Sequence, residues 1–385
     1  MDNKHRYKHA PELPDDVLHL IVHGLSSLVC SAAFRSVCKS WRSFFLQHYS
    51  YLVPPPPPWI MLPTNAKCSK PSVYGLYDFE DRKLFYEYKI PGNYEVFFES
   101  SGTWLIFLDN EDKKLRVWNP LSLIEVSLPC VTNQEKTAVT YCKVIVSCGP
   151  LIKKREDVLV GVVINYDRLV VIRLGDEGWT NIDIDSFPCE SHTTTIIHNL
   201  VFYKGKFYLV NQSGKVFICD ENVHAPRNHD QHYCHPIKAI RLADPIDFTS
   251  MRKPTPDASI QRYYLVEVEG ELMQVIQFWP ISNIHYFWVF KLNFAKKAWE
   301  FVNRSDLKVS LFLNYCHGTM AAREVSRRPS IYFMVSNYVD EENQEDYLNY
   351  KVMVSDSLTK KSTPKVVSEV TKLHRHSHAI GLIFV

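Results

Sequence analysis

The sequence predicts a mainly β protein: three short helices ahead of a single β-propeller of about six blades, closed by its C-terminal strand. Three features carry that expectation. From residue 59 onward, short β-rich runs follow one another in groups of four, at a spacing of roughly 40–50 residues. Helical periodicity is confined to residues 11–48, and five consecutive prolines, Pro54–Pro58, separate the two regions. No amphipathic helix of useful length interrupts the strands, which excludes a βαβ fold.

In the first region Leu18, Ile21, Val22 and Leu25 recur at helical spacing. Pro14 suits a first helical turn, Asp15 and Asp16 suit the positive end of the helix dipole, and Gly24 marks the stop. Ser26 and Ser27 are capping candidates for a second helix carrying Leu28, Ala32 and Phe34, and a third holds Trp41, Phe44, Phe45 and Leu46. Three helices in about 40 residues cannot bury their apolar faces alone, so a partner surface is implied. Residues 49–58 read as a stiff polyproline linker, a role favoured over that of an SH3 or WW ligand.

Residues 59–385 carry the strands. Trp59–Leu62, Val73–Phe79 and Leu84–Tyr88 form a group one strand short, and Ala379–Val385 completes it in this reading, closing the ring. Trp104–Leu108, Leu115–Trp118 and Ile124–Leu128 follow, then Val158–Ile164, Leu169–Leu174 and Trp179–Ile184. Thr195–Tyr203, Lys206–Val210 and Val216–Cys219 are joined by turns at Lys204-Gly205 and Ser213-Gly214. Tyr263–Val268, Glu271–Phe278, Tyr286–Asn293 and Lys297–Val302 make a full set, before Val309–Asn314, Ile331–Val335 and Tyr350–Val354.

Composition narrows the function. The 44 basic and 42 acidic residues give a net charge of +2, with no basic stripe for nucleic acid or an anionic membrane. The ten cysteines include no C-x-x-C pair and sit mostly in apolar runs, pointing to a reducing compartment, nucleus or cytoplasm. No secretory leader or spanning segment is expected. His224, His229, His232 and His235 with Cys234, and the alternating His374, His376 and His378, match no recognised zinc spacing, so neither metal nor cofactor is expected. Glu267, Glu269 and Glu271 read as the solvent face of a strand. There is no G-x-S-x-G elbow, H-E-x-x-H, P-loop or sialidase-type box, and no enzyme is expected. A propeller that binds a small ligand or hydrolyses something, with the helices a mere appendage, is the alternative.

Two stretches resemble known families. Leu13-Pro14-Asp15-Asp16-Val17-Leu18, then Ile21, Leu25, Leu28 and Phe34-Arg35-Ser36-Val37-Cys38-Lys39-Ser40-Trp41-Arg42 resemble an F-box over residues 11–48. Trp118-Asn119-Pro120-Leu121, Lys204-Gly205-Lys206-Phe207-Tyr208, Ser213-Gly214-Lys215-Val216-Phe217, Tyr264-Leu265-Val266-Glu267 and Val289-Phe290-Lys291-Leu292 are similar, in their order, to the plant F-box-associated propellers of kelch-like character. Kelch and WD repeats proper fit poorly: the double glycine is missing, and Arg116-Val117-Trp118 has no Gly-His partner. The resemblance implies the substrate-recognition subunit of an SCF-type (Skp–cullin–F-box) E3 ubiquitin ligase. Its helices would contact a Skp-type adaptor, and through it a cullin-RING ligase, by Leu13, Pro14, Leu18, Ile21, Leu25, Leu28 and Val37. Trp41 has two readings, adaptor contact or closure of the small domain's own core. The propeller would hold an unidentified substrate protein, with neither nucleic acid nor membrane as partner.

Overall fold

The computed structural model describes residues 13–25, 34 and 37–52 and, between 59 and 383, the strands with the shorter turns that join them. Leu28, the body of the expected second helix, Pro54–Pro58, the His224–His235 loop, His376 and His378 lie outside the described residues. The chain divides into two compact units, Met1–Pro57 and Pro58–Phe384.

In the first unit α1 spans Asp15–His23. Pro14 is its N-cap, and the Pro14 carbonyl accepts the N–H groups of Val17 (3.0 Å) and Leu18 (3.1 Å). The helix stops at Gly24, whose N–H still reaches Leu20 and Ile21 carbonyls in a right-handed conformation. Helix α2 spans Lys39–Leu52, running four residues into the segment read as linker. Two helices are therefore described where three were expected; Phe34 and Val37 between them are also helical.

In the second unit β1 (Trp59–Pro63), β2 (Val73–Asp78) and β3 (Leu84–Lys89) open the first group, and β4 (Tyr94–Ser101), β5 (Trp104–Asp109), β6 (Leu115–Asn119) and β7 (Ile124–Ser127) make the second. The third is β8 (Tyr141–Val146), β9 (Leu159–Ile164), β10 (Arg168–Arg173) and β11 (Thr180–Asp183). The fourth is β12 (Ile197–Tyr203), β13 (Lys206–Asn211), β14 (Val216–Cys219) and β15 (Ile237–Ala243). The fifth is β16 (Ile260–Val268), β17 (Glu271–Phe278), β18 (Phe287–Asn293) and β19 (Ala298–Phe301). The last comprises β20 (Ser310–Leu313), β21 (Thr319–Ala322), β22 (Ile331–Val339), β23 (Tyr347–Ser355) and β24 (Lys365–His374), before β25 (Gly381–Ile383).

Groups two to five are antiparallel meanders, and β25 pairs antiparallel with β1, Ile60 opposite Leu382, giving the order β25-β1-β2-β3. The inner strands pack in succession: β25 beside β4, then β8, β12, β16 and β21. This is the arrangement of propeller blades. Five strands, β4, β8, β15, β21 and β24, were not foreseen from sequence. The three glutamates are all exposed but do not share one strand: Glu269-Gly270 is a turn with φ of 50° and 80°, Glu267 is the penultimate residue of β16 and Glu271 opens β17.

Apolar layers between neighbouring groups form the core. Ile145, Leu159, Val163 and Val171 of the third group meet Leu200, Phe207 and Leu209 of the fourth. Every residue of β9 is buried, because the strand is covered on both faces. Gly161 within it is required for closeness: a Cβ there would lie 2.8 Å from the Phe207 ring.

Polar contacts then fix neighbouring groups to each other. Trp179 Nε1 donates to the Pro129 carbonyl (2.8 Å) and Trp299 Nε1 to that of Asp244 (3.1 Å), each reaching just past the outer strand of the preceding group. At the inner edge of β16, the Tyr263 N–H donates to His198 Nδ1 and the Leu265 N–H to Asn199 Oδ1, both at 3.3 Å. Tyr203 OH donates to the Gly270 carbonyl (2.6 Å).

Candidate functional site

The helical unit has a core of its own. Leu18, Val22, Phe34, Phe44 and Phe45 are buried together, and Leu13, Ile21, Leu25 and Trp41 pack half-buried around them. The rings of Phe34 and Trp41 lie 4.7 Å apart. Trp41 therefore closes this core, and its buried Nε1 has no hydrogen-bond partner among the described residues. Leu18, at 2% exposure, is likewise a core residue rather than part of a free face.

What remains exposed is a different set. Val17 (38%), Leu20 (73%) and Val37 (46%) face solvent, with Pro14 exposed at the head of α1. Of the described residues expected to meet an adaptor, Pro14 and Val37 are exposed, and Leu13, Ile21 and Leu25 are half-buried. Val17 and Leu20 were missed because the stripe Leu18–Ile21–Val22–Leu25 satisfies the amphipathic pattern by itself. Their three-residue spacing on the flank of that stripe was the available signal.

Among the described residues the propeller offers no comparable constellation. A cleft of about 500 Å³ opens between the second and third groups, with Leu128, Ile172 and Leu174 as its floor and Lys114, Ser127, Arg173 and Asp176 on its rim. Among the described residues, no histidine or cysteine lines it. Among the described residues, no three His, Cys, Asp or Glu side chains come together to hold a metal ion.

Burial is the first cause of the shifts of His198, His285 and Cys219 inside the propeller. Burial, helped by the nearby Arg262 charge, pushes His198 down to about 4, and burial lowers His285. Burial raises the Cys219 thiol to about 12, leaving it protonated and inert at neutral pH. The neutral Nδ1 of His198 completes the open edge of β16.

Residues 76–355 match the model of a protein family described as KIB1-4 beta-propeller. Two proteins of Arabidopsis thaliana that bear F-box/kelch-repeat names are similar in sequence. One is 24% identical over 363 residues, covering 84% of this chain and 86% of that protein. The other is 23% identical over 306 residues, covering 77% and 75%. Among solved structures, the Cps50 (Swd1) β-propeller domain of Myceliophteria thermophila is 10% identical with a TM-score of 0.34, over 76% of this chain and 79% of that one.

Proposed function

Since the chain belongs to the KIB1-4 beta-propeller family, we propose that it is the substrate-recognition subunit of an SCF-type E3 ubiquitin ligase, without catalysis of its own. In this reading the helical unit binds a Skp-type adaptor, and through it a cullin-RING ligase. A propeller of six blades, closed by β25 on β1, binds the protein to be ubiquitinated, in the nucleus or cytoplasm. The F-box names of the two Arabidopsis relatives, which align over most of both chains, support it.

The observation that carries the reading is the helical unit's surplus of apolar surface. Among its described residues Leu18, Val22, Phe34, Phe44 and Phe45 are buried together, yet Val17, Leu20 and Val37 stay exposed. A small unit that keeps large aliphatics exposed after filling its core is shaped for a partner. The adaptor contact then comprises Leu13, Pro14, Val17, Leu20, Ile21, Leu25, Leu28 and Val37, and Leu18 and Trp41 act by positioning them.

Binding of the full chain to a purified Skp-type adaptor tests this. Leu20→Asp combined with Val37→Asp should weaken binding by well over tenfold, since anchors at an interface centre each carry ~2 kcal/mol or more. The substitutions lie outside the core, so the melting temperature should hold. Undiminished adaptor binding by the double variant would sink the assignment.

A further inference from the structure

The inner strands of the third, fourth and fifth groups share an irregularity. Each shifts register against its neighbour at the corresponding place: between Tyr141 and Lys143 in β8, Ile197 and Asn199 in β12, and Ile260 and Arg262 in β16. The shift is a bulge that inserts one residue, Cys142, His198 or Gln261. Successive side chains of a regular strand point to opposite faces, and a bulge re-aims one of them. In β12 the consequence is plain. His198 and Asn199, adjacent in sequence, both reach β16, where they accept the Tyr263 and Leu265 N–H groups at 3.3 Å.

Those two bonds decide what else the pair can do. His198 accepts through Nδ1, so its neutral ring carries the proton on Nε2. Asn199 accepts through Oδ1, which leaves it the two N–H donors of its amide. Neither set of donors meets an acceptor among the described residues. The matching bulge in β16 sets Arg262 directly before Tyr263, and its charge is felt at His198. Asn199 is 1% exposed, and His198 and Arg262 are half-buried, so a charge-assisted hydrogen bond is screened far less here than on the surface.

A pair whose acceptors are spent, beside a cation, suits a ligand that only accepts. We propose that His198 Nε2–H, the Asn199 amide and the Arg262 guanidinium form an oxyanion site where the inner strands β12 and β16 meet, taking a carboxylate or a phosphate group. The backbone of β16 orients the histidine and the asparagine before any ligand arrives, so little ordering is left to oppose binding. The other two bulges do not repeat the set, since Cys142-Lys143 and Gln261-Arg262 lack the imidazole beside an amide. In the receptor reading above, the oxyanion belongs to an acidic or phosphorylated residue of the substrate; the site itself does not depend on that reading.

The test uses the full chain carrying carbon-13 at histidine Cε1, the His198 signal being the one that His198→Asn removes. Sodium phosphate and sodium acetate are titrated separately at pH 7, against sodium chloride at equal ionic strength. The expected result is a saturable shift of the His198 signal with at least one oxyanion and none with chloride, the tighter of the two naming the preferred group. The bound oxyanion also raises the pH at which His198 takes its proton, because a nearby anion favours the charged ring. Arg262→Gln should weaken binding about tenfold or more, as the loss of a charge-assisted bond does. Asn199→Asp keeps the acceptor for the Leu265 N–H, removes the amide donors and adds a repelling charge, and should abolish binding. Melting temperatures show which variant stays folded, and either one suffices. A shift that chloride reproduces, no saturation with either oxyanion, or undiminished binding in a variant that melts like wild type would each overturn the proposal. Failure of the wild-type chain to bind an adaptor would strike the receptor reading and leave this result standing.

Discussion

Acidification should loosen the joint between the fourth and fifth propeller groups, and His198 should be the reason. Its Nδ1 accepts the Tyr263 N–H, which only the neutral ring carrying its proton on Nε2 can do. Burial and Arg262 hold its pKa at about 4, against 6.5 for the free side chain. Above pH 6.5 the ring is neutral whether folded or not, and its contact is fully present. As pH falls from 6.5, the unfolded chain takes the proton first, so stability declines until pH 4, where the folded chain takes it too. For a fully shielded group that gap would be worth about 3 kcal/mol. His198 is half-buried, and screening reduces the figure to about 1–2 kcal/mol. In a unit the size of Pro58–Phe384 this is a shift in melting temperature of about 2–3 °C. His198→Asn supplies the control, because Asn199 already makes the same bond to the Leu265 N–H without titrating. Thermal melts of both proteins at pH 7.5, 5.5 and 4.5 should coincide at the first and diverge at the last, the variant staying higher. His285 is lowered in both and cancels. Identical pH profiles would refute the reasoning.

Two further changes probe the propeller's packing and closure. Gly161→Ala should cost about 1–3 kcal/mol, because its methyl would stand 2.8 Å from the Phe207 ring, and Phe207→Leu in the same chain should recover part of it; denaturant melts read both. Removing residues 379–385 takes β25 from β1, and the propeller should melt lower as a whole instead of fraying locally. A truncated chain that melts as high and as cooperatively as the intact one would contradict that closure.

Where sequence and structure agree, local chemistry was strong. The hairpin β12–β13 announces itself by Lys204-Gly205, whose φ values of 44° and 83° are those of a tight turn. β17 to β19 were read to within one residue at each end and β16 to within three, because β-rich apolar and aromatic runs separated by short turns mark them. The missed strands share weaker signals. β8 is interrupted by Lys143, a cation that is 5% exposed and breaks an otherwise apolar run. β4 shifts register between Glu95 and Glu99, so no period of two survives along it. β15 mixes Lys238 and Arg241 with aliphatics because it lies on the rim, where Ile240 is half in water. The docking residues were legible by type but not by side. Periodicity identifies the inward stripe of α1, whereas Val17 and Leu20 matter because of what the core left uncovered.

The pairing of β25 with β1 also sets a timetable. Leu382 meets Ile60 across about 320 residues, so the join cannot form until nearly all of the unit has left the ribosome. At ordinary elongation speeds that is a wait of roughly 20 s to a minute. Throughout it, β1 offers an unpaired edge in a crowded cell, while later groups fold beside it. A nascent chain in that state invites chaperones, and a pause before β25 leaves a nearly finished propeller that cannot shut. Cellular abundance should therefore be far more sensitive to lesions in β25 than its three residues would suggest.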